Sequence, residues 1–150
     1  NGRSFVDIAA GASHTCARGI DGTLLCWGVN TNFQLGDRGG ARAIPTPVAA
    51  ASMAQSFALG ASHTCAVRGD LTLQCWGANA SGQVGDGTTV DRGDPWVVTG
   101  LGPVDEVAAG GAHTCVRRAL GGVRCGGNNT FGQLGDGTTT TRTRPVAVVW

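Results

Sequence analysis

The chain has 150 residues, of which 26 are glycine, and a formal net charge of +1. All 11 basic residues are arginine and they are scattered, so the charge pattern excludes the basic surface expected of a nucleic-acid-binding protein. No apolar stretch approaches the ~20 residues of a transmembrane helix, and we expect no membrane insertion. Glycine far above its usual ~7% is typical of turn-rich β structure. The sequence opens at Asn1-Gly2-Arg3 without a methionine, which indicates a mature, processed or excised piece.

One sequence phrase occurs three times at a nearly constant step. Gly-Ala-Ser-His-Thr-Cys followed by Cys-Trp-Gly-x-Asn is read at 11–16 with 26–30, at 60–65 with 75–79 and, degraded, at 110–115 with 125–129. The histidines stand 49 and then 50 residues apart, a period that is typical of stacked or radial repeats. We therefore predict repeats over residues 1–50, 51–100 and 101–150, and expect residues that recur in every repeat to build it.

Four short strands are predicted in each repeat. In the first, residues 5–10 form an apolar inner strand, residues 14–18 and 23–27 form a hairpin, and residues 47–50 form an outer strand whose proline suits a sheet edge. The strands of the second repeat are predicted over 56–59, 63–68, 72–76 and 95–98, and those of the third over 104–109, 113–117, 123–125 and 145–149. This order describes a propeller blade. The predicted fold class is all-β, with three four-stranded antiparallel propeller blades, as an open arc or part of a larger or oligomeric propeller.

The six cysteines form one pair per repeat, with nine residues between the two members: Cys16 and Cys26, Cys65 and Cys75, Cys115 and Cys125. If each pair brackets a β-hairpin, its members face each other on antiparallel strands, where a disulfide is feasible. Free buried thiols and a metal site are the alternatives, although zinc requires four converging ligands and each repeat offers two cysteines and one histidine. Three disulfides indicate an oxidising compartment, so we predict a secreted or cell-surface protein.

At these positions the sequence resembles the regulator-of-chromosome-condensation-type repeat, over essentially its whole length. The family pattern G-x-x-H-T-x-A, then G-x-x-x-x-W-G-x-N-x-x-G-Q-L-G-x-G, matches most specifically at 82–87 and 132–137. Residues 32–34 depart from it, and Gly126 stands where the first two repeats have tryptophan, so we expect a less well filled third blade. The resemblance implies that relatives close into rings of about seven blades. The paired cysteines resemble a variant found in bacterial secreted members, and no motif of the family's nucleotide-exchange role is carried over.

The recurring side chains are interpreted as structural. This applies to His14, His63, His113, Trp27, Trp76, Gln34, Gln83 and Gln133. Metal or catalytic histidines and tryptophan stacking platforms stay open as alternatives. The aspartates Asp37, Asp86 and Asp136 are expected to cap turns, with calcium as the alternative, although a calcium loop places several oxygens at alternating positions. Ser13 and Ser62 precede histidines, but adjacent residues of a strand point to opposite faces. We therefore predict no catalytic, cofactor-binding or metal-binding residue.

The loops that vary between the repeats are the candidate recognition surface. They span residues 37–44, 86–94 and 136–144 and should cluster on one face, where repeat proteins place their binding sites. The candidate partner-binding residues are Arg38, Arg42, Asp91, Arg92, Asp94, Thr140, Arg142 and Arg144. Their chemistry suits contacts with protein or glycan, and the absence of tyrosine weakens the interpretation as a sugar-stacking site. The threonine run is alternatively a plain solvated loop or a site for O-glycans.

The predicted function is that of a secreted, non-catalytic binding or assembly module that acts through protein–protein contacts and uses no cofactor. A relative implied by the resemblance, the bacterial β-lactamase-inhibitor propeller, works through such contacts. Three blades cannot close a ring and leave two apolar faces exposed. We therefore expect part of a longer chain, a homo-oligomer closed as a six-bladed ring, or open growth. The alternatives are a self-assembling subunit of a surface filament or oligomer, and a glycan-binding propeller.

Overall fold

A computed structural model describes residue 2 and residues 4–150, which form three four-stranded antiparallel sheets. Residues 1 and 3, at the start of the predicted first repeat, lie outside the described residues. Blade 1 contains β1 (Phe5–Ala10), β2 (His14–Gly19), β3 (Leu24–Gly28) and β4 (Arg42–Pro47). Blade 2 contains β5 (Ala54–Leu59), β6 (His63–Arg68), β7 (Leu73–Gly77) and β8 (Arg92–Val97). Blade 3 contains β9 (Val104–Ala109), β10 (His113–Arg118), β11 (Val123–Gly127) and β12 (Arg142–Ala147).

The strands of each blade follow one another across the sheet in chain order. The first strands of neighbouring blades lie closest together, since β5 contacts both β1 and β9. Backbone hydrogen bonds link the turns that follow these strands, from Ala12 N to Ala61 O at 3.3 Å and from Ala61 N to Gly111 O at 3.1 Å. The first strand of each blade is therefore the inner one and the fourth is the outer one, as in a propeller. Within residues 4–150, no helix is long and apolar enough to cross a membrane.

The disulfides lie across the hairpins in direct register. Cys16 pairs with Cys26, Cys65 with Cys75 and Cys115 with Cys125 on adjacent antiparallel strands, and each pair is covalently bonded. Thr15 and Trp27 form the neighbouring pair in blade 1, and Thr64 and Trp76 form the same pair in blade 2. Because side chains alternate along a strand, each blade has a disulfide face and an opposite face, which we call the threonine face after Thr15, Thr64 and Thr114.

The core lies between the blades rather than within them. The disulfide face of blade 1, with Leu24, Leu35 and Val48, packs against Phe57, Ala66 and Trp76 on the threonine face of blade 2. The disulfide face of blade 2 packs in the same way against Val104, Val107 and Val116 of blade 3. Each blade is too thin to bury its own side chains, so stacking supplies the hydrophobic stabilisation.

The predicted bounds of the fourth strands are wrong. The predicted strands span 47–50, 95–98 and 145–149, whereas the observed strands begin at Arg42, Arg92 and Arg142. Each of these arginines pairs with the glycine that ends the third strand, across a bulge. Proline lies inside each outer strand, where the unpaired edge tolerates a residue without an N–H donor. Contrary to the prediction, a proline therefore does not mark the start of these strands.

The position of Gly126 is filled in a different way from that of Trp76. At the first junction the Trp76 indole lies against Gly36, and a methyl group at Gly36 would meet its Nε1 at 3.1 Å. At the second junction the ring of Pro145 lies against Gly85, and the corresponding distance to its Cδ is 3.2 Å. The ring of Pro145 therefore occupies part of the space that a tryptophan at position 126 would fill.

Candidate protein-interaction surface

A buried asparagine organises the corner between the third and fourth strands of each blade. In blade 2, Asn79 Oδ1 accepts a hydrogen bond from Val84 N at 3.0 Å, while Nδ2 donates to Thr88 O at 3.1 Å and Val90 O at 3.0 Å. Asn129 makes the same three bonds. Asn30 makes two of them, to Leu35 N and Gly39 O, and all three asparagines are buried. No role is predicted for them from the sequence, although an asparagine recurs four residues after the second cysteine of every repeat. These asparagines hold the variable loops against the blades.

The corner glutamines close the same turns. The side-chain oxygen of each accepts a hydrogen bond from the backbone N–H two residues earlier, at 2.9 Å in all three corners: Gln34 from Asn32, Gln83 from Ser81 and Gln133 from Phe131. The turn needs backbone with positive φ at the residue before each glutamine, namely Phe33 with φ 63°, Gly82 with φ 76° and Gly132 with φ 73°. Phe33 shows that the corner forms even where the usual glycine is absent, at a cost that favours glycine.

An aspartate–arginine pair fastens the far end of each loop. Asp86 accepts hydrogen bonds from Thr88 N at 2.8 Å and from Arg92 Nε at 2.5 Å. Burial alone would raise the pKa of Asp86, but the hydrogen bonds from Thr88, Arg92 and Asn79 lower it. The Thr138 hydroxyl, followed by Arg142, lowers the pKa of Asp136 to about 2. The carboxylates are therefore charged at neutral pH and act as turn anchors.

The placement of five candidate partner-binding residues in loops is wrong. Arg42, Arg92, Asp94, Arg142 and Arg144 lie in the outer strands. The first arginine of each strand bonds to its loop aspartate: Arg42 to Asp37, Arg92 to Asp86 and Arg142 to Asp136. The five misplacements have one cause. Each outer strand begins at the arginine that bonds to the loop aspartate, and so it begins earlier in the chain than predicted. Whether these residues also contact a partner stays a prediction.

Other candidate residues bridge neighbouring blades. Arg38 of blade 1 forms an exposed ion pair with Asp94 of blade 2 at 3.7 Å. Asp91 accepts hydrogen bonds from Asn32 Nδ2 at 3.0 Å and from Asn79 N at 2.8 Å. The guanidinium group of Arg144 covers Gly87, and Thr140 is exposed. These contacts bring the corners and loops of the three blades together along one side of the arc, which we call the loop face (residues 29–41, 78–91 and 128–141).

The histidines link the blades near the inner edge. His14 Nε2 lies 2.9 Å from Thr64 Oγ1, and this hydroxyl donates to Gln34 O at 2.9 Å. The second junction repeats the bridge, with His63 Nε2 at 2.9 Å from Thr114 Oγ1, which donates to Gln83 O at 2.8 Å. Since a hydroxyl has one proton, each threonine must accept from its histidine, which fixes the Nε2–H tautomer. We call this arrangement the His–Thr–Gln bridge.

Burial keeps the rings of His14 and His63 uncharged. Burial lowers the pKa of His63 to about 4, so that its ring is neutral at pH 7, and the pKa of His14 is lowered in the same way. A methyl group at Gly60 would meet His63 Cε1 at 2.1 Å, so the ring packs on a glycine. Among the residues that the structure describes, no group of three or more His, Cys, Asp or Glu side chains could hold a metal ion. Ser13 and Ser62 contribute backbone carbonyls that accept from Val29 N and Ala78 N.

Comparison with known protein families and solved structures gives a consistent result. The regulator of chromosome condensation (RCC1) repeat model matches residues 5–34, 54–83 and 104–133, and a second model of the same repeat matches 21–67 and 73–117. No curated protein sequence matches significantly. Human WBSCR16 superposes with a TM-score of 0.86 and 21% identity over 99% of this chain and 39% of that one.

Two yeast structures also superpose over nearly the whole chain. Prp20p from Saccharomyces cerevisiae has a TM-score of 0.87 and 22% identity, covering 99% of this chain and 39% of that one. The structure of Kap60 bound to yeast RCC1 (Prp20) has a TM-score of 0.80 and 21% identity, with coverages of 99% and 38%. At these identities the likeness shows the fold, and the chain spans about two fifths of the length of these proteins. With the repeat model matching more than half of its residues, this chain belongs to the regulator of chromosome condensation (RCC1) repeat family.

Proposed function

We propose that this chain is a secreted, non-catalytic module that binds a protein partner through its loop face. One observation carries the proposal: residues that recur in the repeats are used inside the blades and junctions, while exposed side chains that differ between repeats lie on the anchored loops. Val90 is 65% exposed and Phe131 is 91% exposed. A binding surface on loops held by a rigid scaffold loses little conformational freedom when a partner binds.

The chemistry of the face suits a protein partner. It combines exposed apolar groups with exposed threonines and with Arg38, which forms an ion pair with Asp94 of the adjoining outer strand. Protein interfaces contain such a mixture of apolar and polar groups. The yeast relative is described by its binding properties to Gsp1p and histones, and in a second structure it is bound to Kap60. Protein binding by that relative supports a protein partner for this chain, without naming one.

Secretion is supported by the three disulfides. Those of blades 1 and 2 lie in the cores between the blades, whereas Cys115 of blade 3 is half-buried. Three structural disulfides require an oxidising compartment to form. The absence of catalysis is supported by the histidines, because His63 is neutral and held by Thr114 rather than by a carboxylate.

The experiment measures binding of the immobilised chain to a panel of purified extracellular proteins, with a glycan array in parallel. Val90→Asp and Thr140→Asp alter the loop face at exposed positions, and Leu120→Asp, 82% exposed at the opposite end of blade 3, is the matched control. A partner found in the panel should bind at least about tenfold more weakly to the loop-face variants and equally well to the control. Binding lost only in Leu120→Asp would overturn the loop-face assignment, and binding only to glycans would replace the protein partner.

A further inference from the structure

The loop face carries two N-glycosylation sequons. Asn79-Ala80-Ser81 lies at the corner of blade 2, and Asn128-Asn129-Thr130 lies at the corner of blade 3. In a secreted protein, an asparagine followed two residues later by serine or threonine is the acceptor for an N-linked glycan. We infer that Asn128 carries such a glycan and that Asn79 does not. The inference rests on the secretion included in the proposed function, but not on the protein partner.

The fold closes off the side chain of Asn79. This residue has no exposed surface. Its Nδ2 lies 3.1 Å from Asp86 Oδ1, 3.1 Å from Thr88 O and 3.0 Å from Val90 O. A sugar on Nδ2 would replace one of its two protons and would occupy the place of the loop that these bonds hold. A folded chain therefore has no room for a glycan at this position.

The side chain of Asn128 is held by its oxygen, and its nitrogen is left available. Asn128 Oδ1 accepts hydrogen bonds from Thr130 N at 3.0 Å and from Gln133 Nε2 at 2.9 Å. The residue as a whole is half-buried. Its Nδ2 makes no hydrogen bond to any residue that the structure describes, and this atom is not buried. A sugar attached to Nδ2 therefore removes no hydrogen bond from the corner.

The third residue of the blade 3 sequon is open as well. Thr130 is exposed, and its hydroxyl makes no hydrogen bond within the described part of the chain. Phe131, the next residue, is 91% exposed, so this part of the corner projects from the blade. Ser81, the third residue of the other sequon, is half-buried. Since the sequon requires a hydroxyl at its third position, the amide and the hydroxyl are both accessible only in blade 3.

The transfer requires a donor from outside the chain, namely a lipid-linked oligosaccharide diphosphate presented by an oligosaccharyl transferase. Asn128 Nδ2 forms a bond to the anomeric carbon of the first sugar, and the bond from that carbon to the diphosphate oxygen breaks. The lipid diphosphate leaves with the electron pair, and the proton lost from Nδ2 passes to a base of the transferase. The bonds that Asn128 Oδ1 accepts stay in place in the product. Transfer before or after folding gives the same product, because only a chain without a glycan on Asn79 can close the corner of blade 2.

The test expresses the 150-residue chain behind a secretory signal peptide in a eukaryotic cell line that contains the transferase. The disulfide-bonded chain is isolated from the medium and from the cells, since formed disulfides show that it has entered the secretory pathway. Its mass is measured before and after treatment with peptide N-glycosidase, and mass spectrometry of its peptides identifies the modified asparagine. We expect one glycan per chain, attached to Asn128, and complete loss of the added mass after the treatment.

Two variants at Thr130 separate the sequon from the fold. Thr130→Ala removes the hydroxyl and should lose the glycan completely, whereas Thr130→Ser keeps the sequon and should retain the glycan. Neither variant loses a hydrogen bond of the corner, because the bond to Asn128 comes from the backbone. A disulfide-bonded chain without a glycan, or a glycan found on Asn79 in Thr130→Ala, would overturn the inference. A chain that is glycosylated on Asn128 but stays inside the cells would support the inference and count against secretion.

Discussion

Thr64 and Thr114 occupy equivalent positions in the two junctions, and each donates a hydrogen bond to a backbone carbonyl. The two carbonyls differ in the number of hydrogen bonds that they accept. Gln34 O receives hydrogen bonds from Thr64 Oγ1 and from Trp76 Nε1. Gln83 O receives one from Thr114 Oγ1, and Gly126, in the place of Trp76, offers no side-chain donor. Replacing each threonine by valine keeps the shape of the side chain and removes the hydroxyl. The carbonyl of Gln34 then keeps the indole as a donor, whereas the carbonyl of Gln83 keeps no side-chain donor.

The expected costs follow from the groups left without partners. In both variants a buried histidine loses the acceptor for its Nε2–H, and this shared loss costs about 1–3 kcal/mol. In Thr114→Val the carbonyl of Gln83 also loses its donor, whereas in Thr64→Val the indole still serves Gln34. Thr114→Val should therefore lower the free energy of unfolding by about 1–3 kcal/mol more than Thr64→Val. For a chain of this size each 1 kcal/mol corresponds to about 2–4 °C in Tm.

The assay is urea unfolding of both variants in non-reducing buffer, at a protein concentration low enough to keep the chain monomeric. The slope of the free energy against urea should be unchanged, so that the midpoints report stability alone. Thr15→Val, on the threonine face of blade 1, is the matched control and should change stability by less than about 0.5 kcal/mol. Equal costs for the two variants, or a larger cost for Thr64→Val, would refute the compensation by the Trp76 indole. Costs no larger than that of Thr15→Val would refute the bridge as a source of junction stability.

Three further predictions concern the histidines, the disulfides and the corners. Burial holds the pKa of His63 at about 4, against 6.5 for the free group. Between these values the unfolded chain binds more protons than the folded chain. The free energy of unfolding should therefore be highest above about pH 6.5 and fall by up to ~3 kcal/mol towards pH 4. Thermal unfolding across this range tests it, a His63→Gln variant should show a shallower profile, and equal profiles would contradict the assignment. Replacing both Cys65 and Cys75 by serine should cost about 2–3 kcal/mol, because the closed loop of about ten residues is released in the unfolded state; urea midpoints measure it, and a cost near zero would argue against that disulfide. Asn79→Ala should raise the rate of amide hydrogen exchange in residues 84–91, since it leaves Val84 N and two loop carbonyls without partners. Asn128→Ala, beside the equivalent corner residue of blade 3, should leave exchange in that segment unchanged. No increase in Asn79→Ala would show that the loop is held by other bonds.

The sequence was sufficient to predict the blades because their cues are local. The hairpins follow from apolar strands around glycine turns, and a cysteine at equal distance on either side of each turn indicates which residues face each other. The constant spacing within each pair is therefore enough to predict the disulfides. The period of the histidines indicates the number of blades. These features depend on residues close together in the chain, where spacing determines geometry.

The junctions and the outer strands could not be predicted in the same way. The bond from His14 to Thr64 joins residues fifty positions apart, and nothing in the sequence says which recurring polar groups meet between blades. The outer strands begin at Arg42, Arg92 and Arg142 because each pairs with an aspartate of its loop. An arginine within a polar loop gives no strand signal by itself. The recurring asparagines were visible as a pattern, but their role depends on a corner that brings loop carbonyls towards them.

Hydrogen exchange of the tryptophan indole N–H groups, followed by NMR, tests most directly whether buried hydrogen bonds join neighbouring blades. Trp76 is buried and bonded to Gln34 O, whereas Trp150 is 96% exposed and is the reference in the same molecule. If blades 1 and 2 pack as described, the indole of Trp76 should exchange much more slowly than that of Trp150. Equal exchange rates for the two indoles would contradict the packed junction.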